Sequence, residues 1–443
     1  MRRYIRALVL CMVFAVFSGL FVYSKLFYSD VSVASGAKRL VSPPRDPGGE
    51  EEDGAATGAE QRNPHRANRN ATRDGSDAVG SAESRLPPPM HLAVVTCGER
   101  LEETLTMIKS GVLFSIKPLH LHIFAEDQLH ASFVEALESW PGFVRSTFTY
   151  SLHPISFPSD NAKEWKKLFK PCASQRLFLP LILKDVDSVV YVDSDILFLR
   201  PVDELWGFLT RFDRSQLAAM APEHEEPRIA WYNRFAMHPF YGRTGVNSGV
   251  MLMNMTRMRS AYFKVKQKLR LLVGCRAGKV TGGWFVCLQN DMTPVGLLWE
   301  ELLMPLLQKY KLNITWGDQD LLNIIFHHNP EMLLEFPCKW NYRPDHCIYG
   351  SNCASAEEDG VCVMHGNRGV YHDQKQPAFR AVYQAIKKYV FGTDPVTALL
   401  DALVEELSKT THTYCGKSHA LLTKKLAHSL ANVKKDDGEK PRL

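Results

Sequence analysis

The sequence lacks any stripe of Lys and Arg interleaved with aromatic residues, and its formal net charge is only +5 over 443 residues. Its basic residues gather mostly at the two ends, which argues against a nucleic-acid partner. No internal repeat is visible, so repeat architectures are set aside. None of the ten cysteines forms a C-x2-C pair, and the group Cys338, Cys347, Cys353 and Cys362 therefore suits disulfides better than zinc, with the pairing unreadable. Residues 25–89 have almost no periodic apolar residues and are rich in Gly, Pro, Ala, Asn, Arg and Glu. Such a composition does not repay the entropy of ordering, and a flexible stem is expected there.

What is present fixes a compartment. Arg2, Arg3 and Arg6 precede an uncharged run from Ala7 to Ser24, with a single Lys25 after it. At roughly 1.5 Å per residue such a run spans a bilayer core of about 30 Å. The arginines keep residues 1–6 in the cytosol, so 7–24 read as a signal-anchor and the remainder as lumenal. A cleaved signal peptide fits less well, because the run is long and no small-x-small site closes it. The expected product is a single-pass type II membrane protein of the secretory pathway. The cysteines and the sequons at Asn70, Asn254 and Asn313 agree with an oxidising lumen.

From Met90 onward apolar strands alternate with amphipathic helices, and 45% apolar residues suffice for a sizeable core. "HLAVVTC", "LHLHIFA", "SVVYVDSDILFL", "AAMAPE", "SGVMLMNM" and "VCVMHG" punctuate residues 90–425. This order predicts an α/β domain with a mostly parallel, helix-covered sheet, which binds ligands beyond the carboxyl ends of its strands. Residues 265–289 leave the pattern and read as a surface insertion, and residues 426–443 as a basic, disordered tail.

The chemistry centres on "YVDSDILFL". Alternation along a strand places Asp193 and Asp195 on one side and Ser194 on the other. Two carboxylates so close repel each other unless a cation or donors compensate. Three readings stand: acids that cap a turn or pair with Arg200, a phosphatase nucleophile at Asp193, and a clamp for a divalent cation carrying a diphosphate. Leu197 occupies the place where the phosphatase pattern has Thr or Val. Downstream, "TGVNSGVMLMN" presents Asn247 with Gly249 allowing close approach, "WGDQDLLN" presents Asp318 and Gln319 at a helix start, and "VMHGNRG" presents His365 at a strand end.

The succession "YVDSDILFLRPVDELW", "NSGVMLMN", "WGDQDLLN", "HGNRG" resembles glycosyltransferase family 8. Within it, "EWKKLFKPCASQRLFLPLIL" and "CKWNYRPDHCIYGSNC" are similar to the glucoside xylosyltransferases. The resemblance covers about residues 90–425. It implies a GT-A fold (Rossmann-like), UDP-xylose as donor, Mn2+ as cofactor, and as acceptor the O-linked glucose of EGF-like repeats in Notch-type proteins, extended by an α1,3-linked xylose. It further implies Asp193, Asp195 and His365 as metal ligands, Asp318 and Gln319 near the reaction, and Thr96, Cys97, Arg100, Arg176 and Asn247 around the nucleotide sugar. Many family members carry Lys in H-G-x-x-K where this chain has Gly369, which leaves Arg368 or His372 to meet the diphosphate.

Overall fold

Runs of Val, Ile, Leu and Met without charges form the inner strands, because both faces of the sheet are covered and alternation is not needed. The computed structural model describes residues 88–168, 172–265 and 296–439, all within one compact unit, Ala82–Leu443. The expected cytosolic tail, membrane helix, nearly all of the stem, and the insertion beyond Val265 lie outside the described residues. Among those described, no helix is long and apolar enough to cross a membrane.

The main sheet has seven strands in the order β3-β2-β1-β4-β7-β6-β8. These are β1 (Met90–Thr96), β2 (Leu119–Ala125), β3 (Phe148–Pro154), β4 (Ser188–Val192), β6 (Ala218–Pro222), β7 (Val246–Asn254) and β8 (Leu333–Glu335). Four pairings are parallel, and β7 runs antiparallel to both β4 and β6. This is the mostly parallel, helix-covered sheet that the alternation of strands and helices predicts. Two further strands, β5 (Ile196–Phe198) and β9 (Val363–His365), pair antiparallel as a separate small sheet.

Side-chain alternation sorts β4 between two cores. Val189 and Tyr191 face one core, which is closed by α4 (Trp299–Tyr310) and α5 (Asp318–His328). Val190 and Val192 face the other, closed by α1 (Leu101–Phe114) and α2 (Asp127–Glu138). A third core lies behind the small sheet, where α6 (Pro377–Lys388) buries Phe379, Val382, Tyr383 and Ile386.

"SVVYVDSDILFL" is two strands rather than one. β4 ends at Val192, residues 193–195 turn, and β5 begins at Ile196 in the second sheet. The C-terminal expectation also needs correction. Residues 426–443 are not a disordered tail from their start, since helix α7 (His419–Glu439) continues through them as far as Glu439. Leu422, Leu426 and Leu430 are buried in the third core. Their four-residue spacing puts them on one helix face, a signal diluted in the sequence by the lysines between them.

Among the described residues three disulfides tie the fold: Cys97–Cys172, Cys338–Cys353 and Cys347–Cys415. The expectation of disulfides over zinc holds, although Cys347 pairs outside its group and Cys362 stays reduced and buried. On the β1–β2–β3 edge four histidines share one face. His91 Nδ1 lies 2.9 Å from His122 Nε2, and His122 Nδ1 lies 3.2 Å from His153 Nε2. His120 lies beside His122 with ring centres 4.6 Å apart and ring planes tilted by 59°.

Two measurements check this packing. Leu426→Ala should lower unfolding free energy by about 2–5 kcal/mol in urea titration, as truncation in a closed core does; a change near zero would return that residue to the tail. Burial, and then the neighbouring His120, His91 and His153, push the His122 imidazole down to about 3. The unfolded chain takes up a proton there near pH 6.5, whereas the folded chain resists until about 3, so stability rises with pH across that interval. The melting temperature should therefore fall on acidification below about pH 6.5, and His122→Gln should flatten that slope.

Candidate active site

Backbone hydrogen bonds from two sheets hold the turn that carries the acids. Asp193 N donates to Gly249 O of β7 at 2.9 Å, and Gly366 N, just after β9, donates to Asp195 O at 2.7 Å. In the small sheet Ile196 pairs with His365, which sets that imidazole beside Asp195. The outcome matches the expected geometry for a different local reason, since a turn and not a continuous strand aims both acids. His365 Nε2 lies 3.4 Å from Asp195 Oδ1 and 3.9 Å from Asp193 Oδ2. Ser194 points the other way and donates to Glu103 Oε1 at 3.0 Å.

One donor atom from each of Asp193, Asp195 and His365 lies within 4.8 Å of the others. Donors around a small divalent ion at about 2.1 Å sit roughly 3 Å apart when adjacent and about 4 Å when opposite. Two carboxylate oxygens and one imidazole nitrogen at these separations therefore fit such a cation. Arg200, the partner in the plain ion-pair reading, turns instead to Glu204.

The imidazole approaches because position 249 is glycine. A Cβ there would lie 2.2 Å from His365 Cε1. The ring is oriented by Asn341, whose Oδ1 accepts from His365 Nδ1 at 2.8 Å. With the proton on Nδ1, Nε2 keeps its lone pair for a cation. Asn341 Nδ2 donates to Asn247 Oδ1 at 2.8 Å, and Gly249 N donates to the same oxygen at 3.0 Å. Both contacts occupy the carbonyl end of Asn247, which leaves its NH2 group for the pocket that Asn247 lines.

That pocket has a volume of about 350 Å3. Asp193, Asp195, Asn247, Gln319, His365 and Arg368 of the expected residues line it, together with Glu223, Trp231, Trp316, Arg343, Asp345 and Asn367 among others. Gln319 Oε1 accepts from Ser248 N at 3.1 Å, and its Nε2 donates to Tyr232 at 3.2 Å. Arg368 holds Asp345 at 2.5 Å, whereas His372 turns to Glu103 at 2.7 Å and does not line the pocket.

Four expected contacts sit behind the wall. Arg176 is buried, donates to Asp193 Oδ1 at 2.8 Å and to Ser248, and places Nε 2.6 Å from Asp318 Oδ2. It therefore fixes Asp193 and Asp318 rather than lining the pocket. Asp318 is buried as well, and burial pushes its carboxyl up to about 6 despite Arg176. Thr96 is buried against Thr104 at 2.9 Å. Cys97 is a structural residue, locked to Cys172. Arg100 does not line the pocket either, although its Nη1 lies 3.8 Å from Asp195 Oδ2.

Asn341, Glu223 and Arg343 were not singled out from the sequence, because nothing in "WNY" or "PEH" distinguishes a polar group in a pocket from one on a surface. If Asn341 orients His365, Asn341→Ala should weaken Mn2+ binding by about 10- to 100-fold in a titration followed by electron paramagnetic resonance. Asn341→Asp, which still accepts from Nδ1, should keep most of that affinity.

No protein-family model matches the chain. It is 58% identical over 436 residues to glucoside xylosyltransferase 1 of Mus musculus, covering 98% of each chain. It is 64% identical over 351 residues to glucoside xylosyltransferase 1 of Gallus gallus, covering 79% of this chain and 75% of that one. Among solved structures, the apo form of mouse xyloside xylosyltransferase 1 aligns with a TM-score of 0.42 at 18% identity, over 63% of this chain and 98% of the other. By its near full-length identity to the former enzymes, the chain belongs to the glucoside xylosyltransferase family.

Proposed function

We propose that this enzyme transfers xylose from UDP-xylose, with retention, to form an α1,3 linkage to O-linked glucose on EGF-like repeats of Notch-type proteins. The observation that carries the reading is the convergence of Asp193, Asp195 and His365 on the wall of a pocket in a chain of this family. Their hard oxygen and imidazole donors suit Mn2+. That ion would supply positive charge where the departing UDP gains negative charge.

The chain's own residues do the rest. Asp193 is held by Arg176 and by the Tyr191 hydroxyl at 2.9 Å, so one of its oxygens is committed and the other faces His365. The same engagement disfavours Asp193 as a phosphohydrolase nucleophile. Asn247 and Gln319 present amides to the pocket, and Arg368, which shares the wall with Arg234 and Arg343, stands in place of the family's lysine. Asp318 lies behind Arg176, away from the pocket, and an amide at Gln319 is a poor nucleophile. This arrangement supports front-face attack, in which a diphosphate oxygen takes the acceptor proton, over a covalent intermediate. The arginines before Ala7 and the run to Ser24 support anchoring in the secretory pathway with the catalytic unit in the lumen.

Incubating the chain with Mn2+, an O-glucosylated EGF-like repeat and a panel of UDP-sugars should add one pentose, by mass spectrometry, with UDP-xylose alone. Asp195→Asn should lose this transfer by about 100-fold or more while keeping the melting temperature. Transfer that survives chelation, or a hexose added instead, would overturn the reading.

A further inference from the structure

Among the described residues, two side chains on the pocket wall carry buried polar atoms without a hydrogen-bond partner. Arg343 is 1% exposed, yet among the described residues its Nε and Nη2 meet no hydrogen-bond acceptor. Its Nη1 is 3.6 Å from Glu223 Oε1, long for an ion pair that should satisfy a buried guanidinium. Asn367 Oδ1 is likewise buried without a partner. Unsatisfied groups of this kind are costly, and their placement on a pocket wall indicates that a ligand completes them.

Their position follows from the backbone. Tyr342 N donates to Val363 O and His365 N donates to Tyr342 O, so Tyr342 bridges in parallel to Met364 of β9. Tyr342 turns into the third core, while Asn341 and Arg343 face the other way. Arg343 is therefore one pleat repeat, roughly 7 Å, beyond the residue that touches His365. A group bound there would sit beyond Asn341 as seen from His365.

The surroundings select its chemistry. Glu223 and Asp345 flank Arg343 on the pocket wall, and burial raises the Glu223 carboxyl against the pull of Arg343. A diphosphate would meet two acids, whereas a neutral polyol accepts from Arg343 and donates to Glu223 or Asn367. Trp231 and Trp316, with ring centres 5.5 Å apart, offer apolar surface for the C–H face of a pyranose.

We propose that Arg343, Glu223 and Asn367, walled by Trp231 and Trp316, form the subsite that grips the hydroxyls of the acceptor glucose. This rests on the reading that the acceptor is a glucoside. Glu223 is the acceptor side's hydrogen-bond receiver, and Arg343 is its specificity-determining donor.

The test measures transfer by the full chain with Mn2+, UDP-xylose and a simple β-glucoside, alongside a panel of its monodeoxy analogues. Arg343→Met should raise the glucoside KM about tenfold or more while the UDP-xylose KM stays within about twofold. At least one deoxy analogue should be a poor substrate for the native chain and no poorer than the parent glucoside for Arg343→Met. Arg343→Lys keeps the charge without the fork, so its fold should survive, by melting temperature, while glucoside affinity remains low. Native glucoside KM in both variants, or a donor KM that rises alone, overturns the subsite. No transfer by the native chain to any glucoside overturns the functional reading beneath it.

Discussion

Like charges at Asp193 and Asp195 can be held together only if the surrounding backbone is rigid and their charge is answered. The rigidity comes from the junction of two sheets: β7 receives the Asp193 amide, and the segment after β9 donates to Asp195. The charge is answered from behind by Arg176 and from the front by the cation that His365 would help bind. The rest of the catalytic unit serves this junction. The main sheet brings β4 to its end, the third core fixes β9, and the glycine at 249 leaves the space the imidazole needs.

Hydrogen bonds then carry that order outward. Asn341 joins His365 to Asn247, so the ring proposed to hold the cation and the amide on the pocket wall are set by a single side chain. Arg176 similarly joins Asp193 to Asp318 and Ser248. Groups that approach substrate are thus positioned by buried polar groups, which is why the second set matters as much as the first.

Much of this was legible in the sequence. Unbroken apolar runs announced the inner strands, and "DSD" with a distant "HG" allowed a cation site that the family resemblance then singled out from the other readings. Legibility failed where the information is tertiary. Whether Arg176 reaches a ligand or braces Asp193 depends on burial, which no local pattern encodes. Cys97 looked like part of a nucleotide-binding turn because its partner, Cys172, lies 75 residues away. The turn at 193–195 hid inside one apolar run because β5 finds its partner in residues 363–365. The leucines of α7 were masked by lysines that suggested a solvated tail.

The central claim is that one divalent ion sits between Asp193, Asp195 and His365 and holds the diphosphate. Anomalous scattering at the manganese edge, from crystals grown with Mn2+ and UDP, tests it most directly. The account predicts one strong peak within coordination distance of Asp193 and Asp195 oxygens, His365 Nε2 and diphosphate oxygens. UDP bound in the pocket with no such peak, or with the ion held elsewhere, would contradict it.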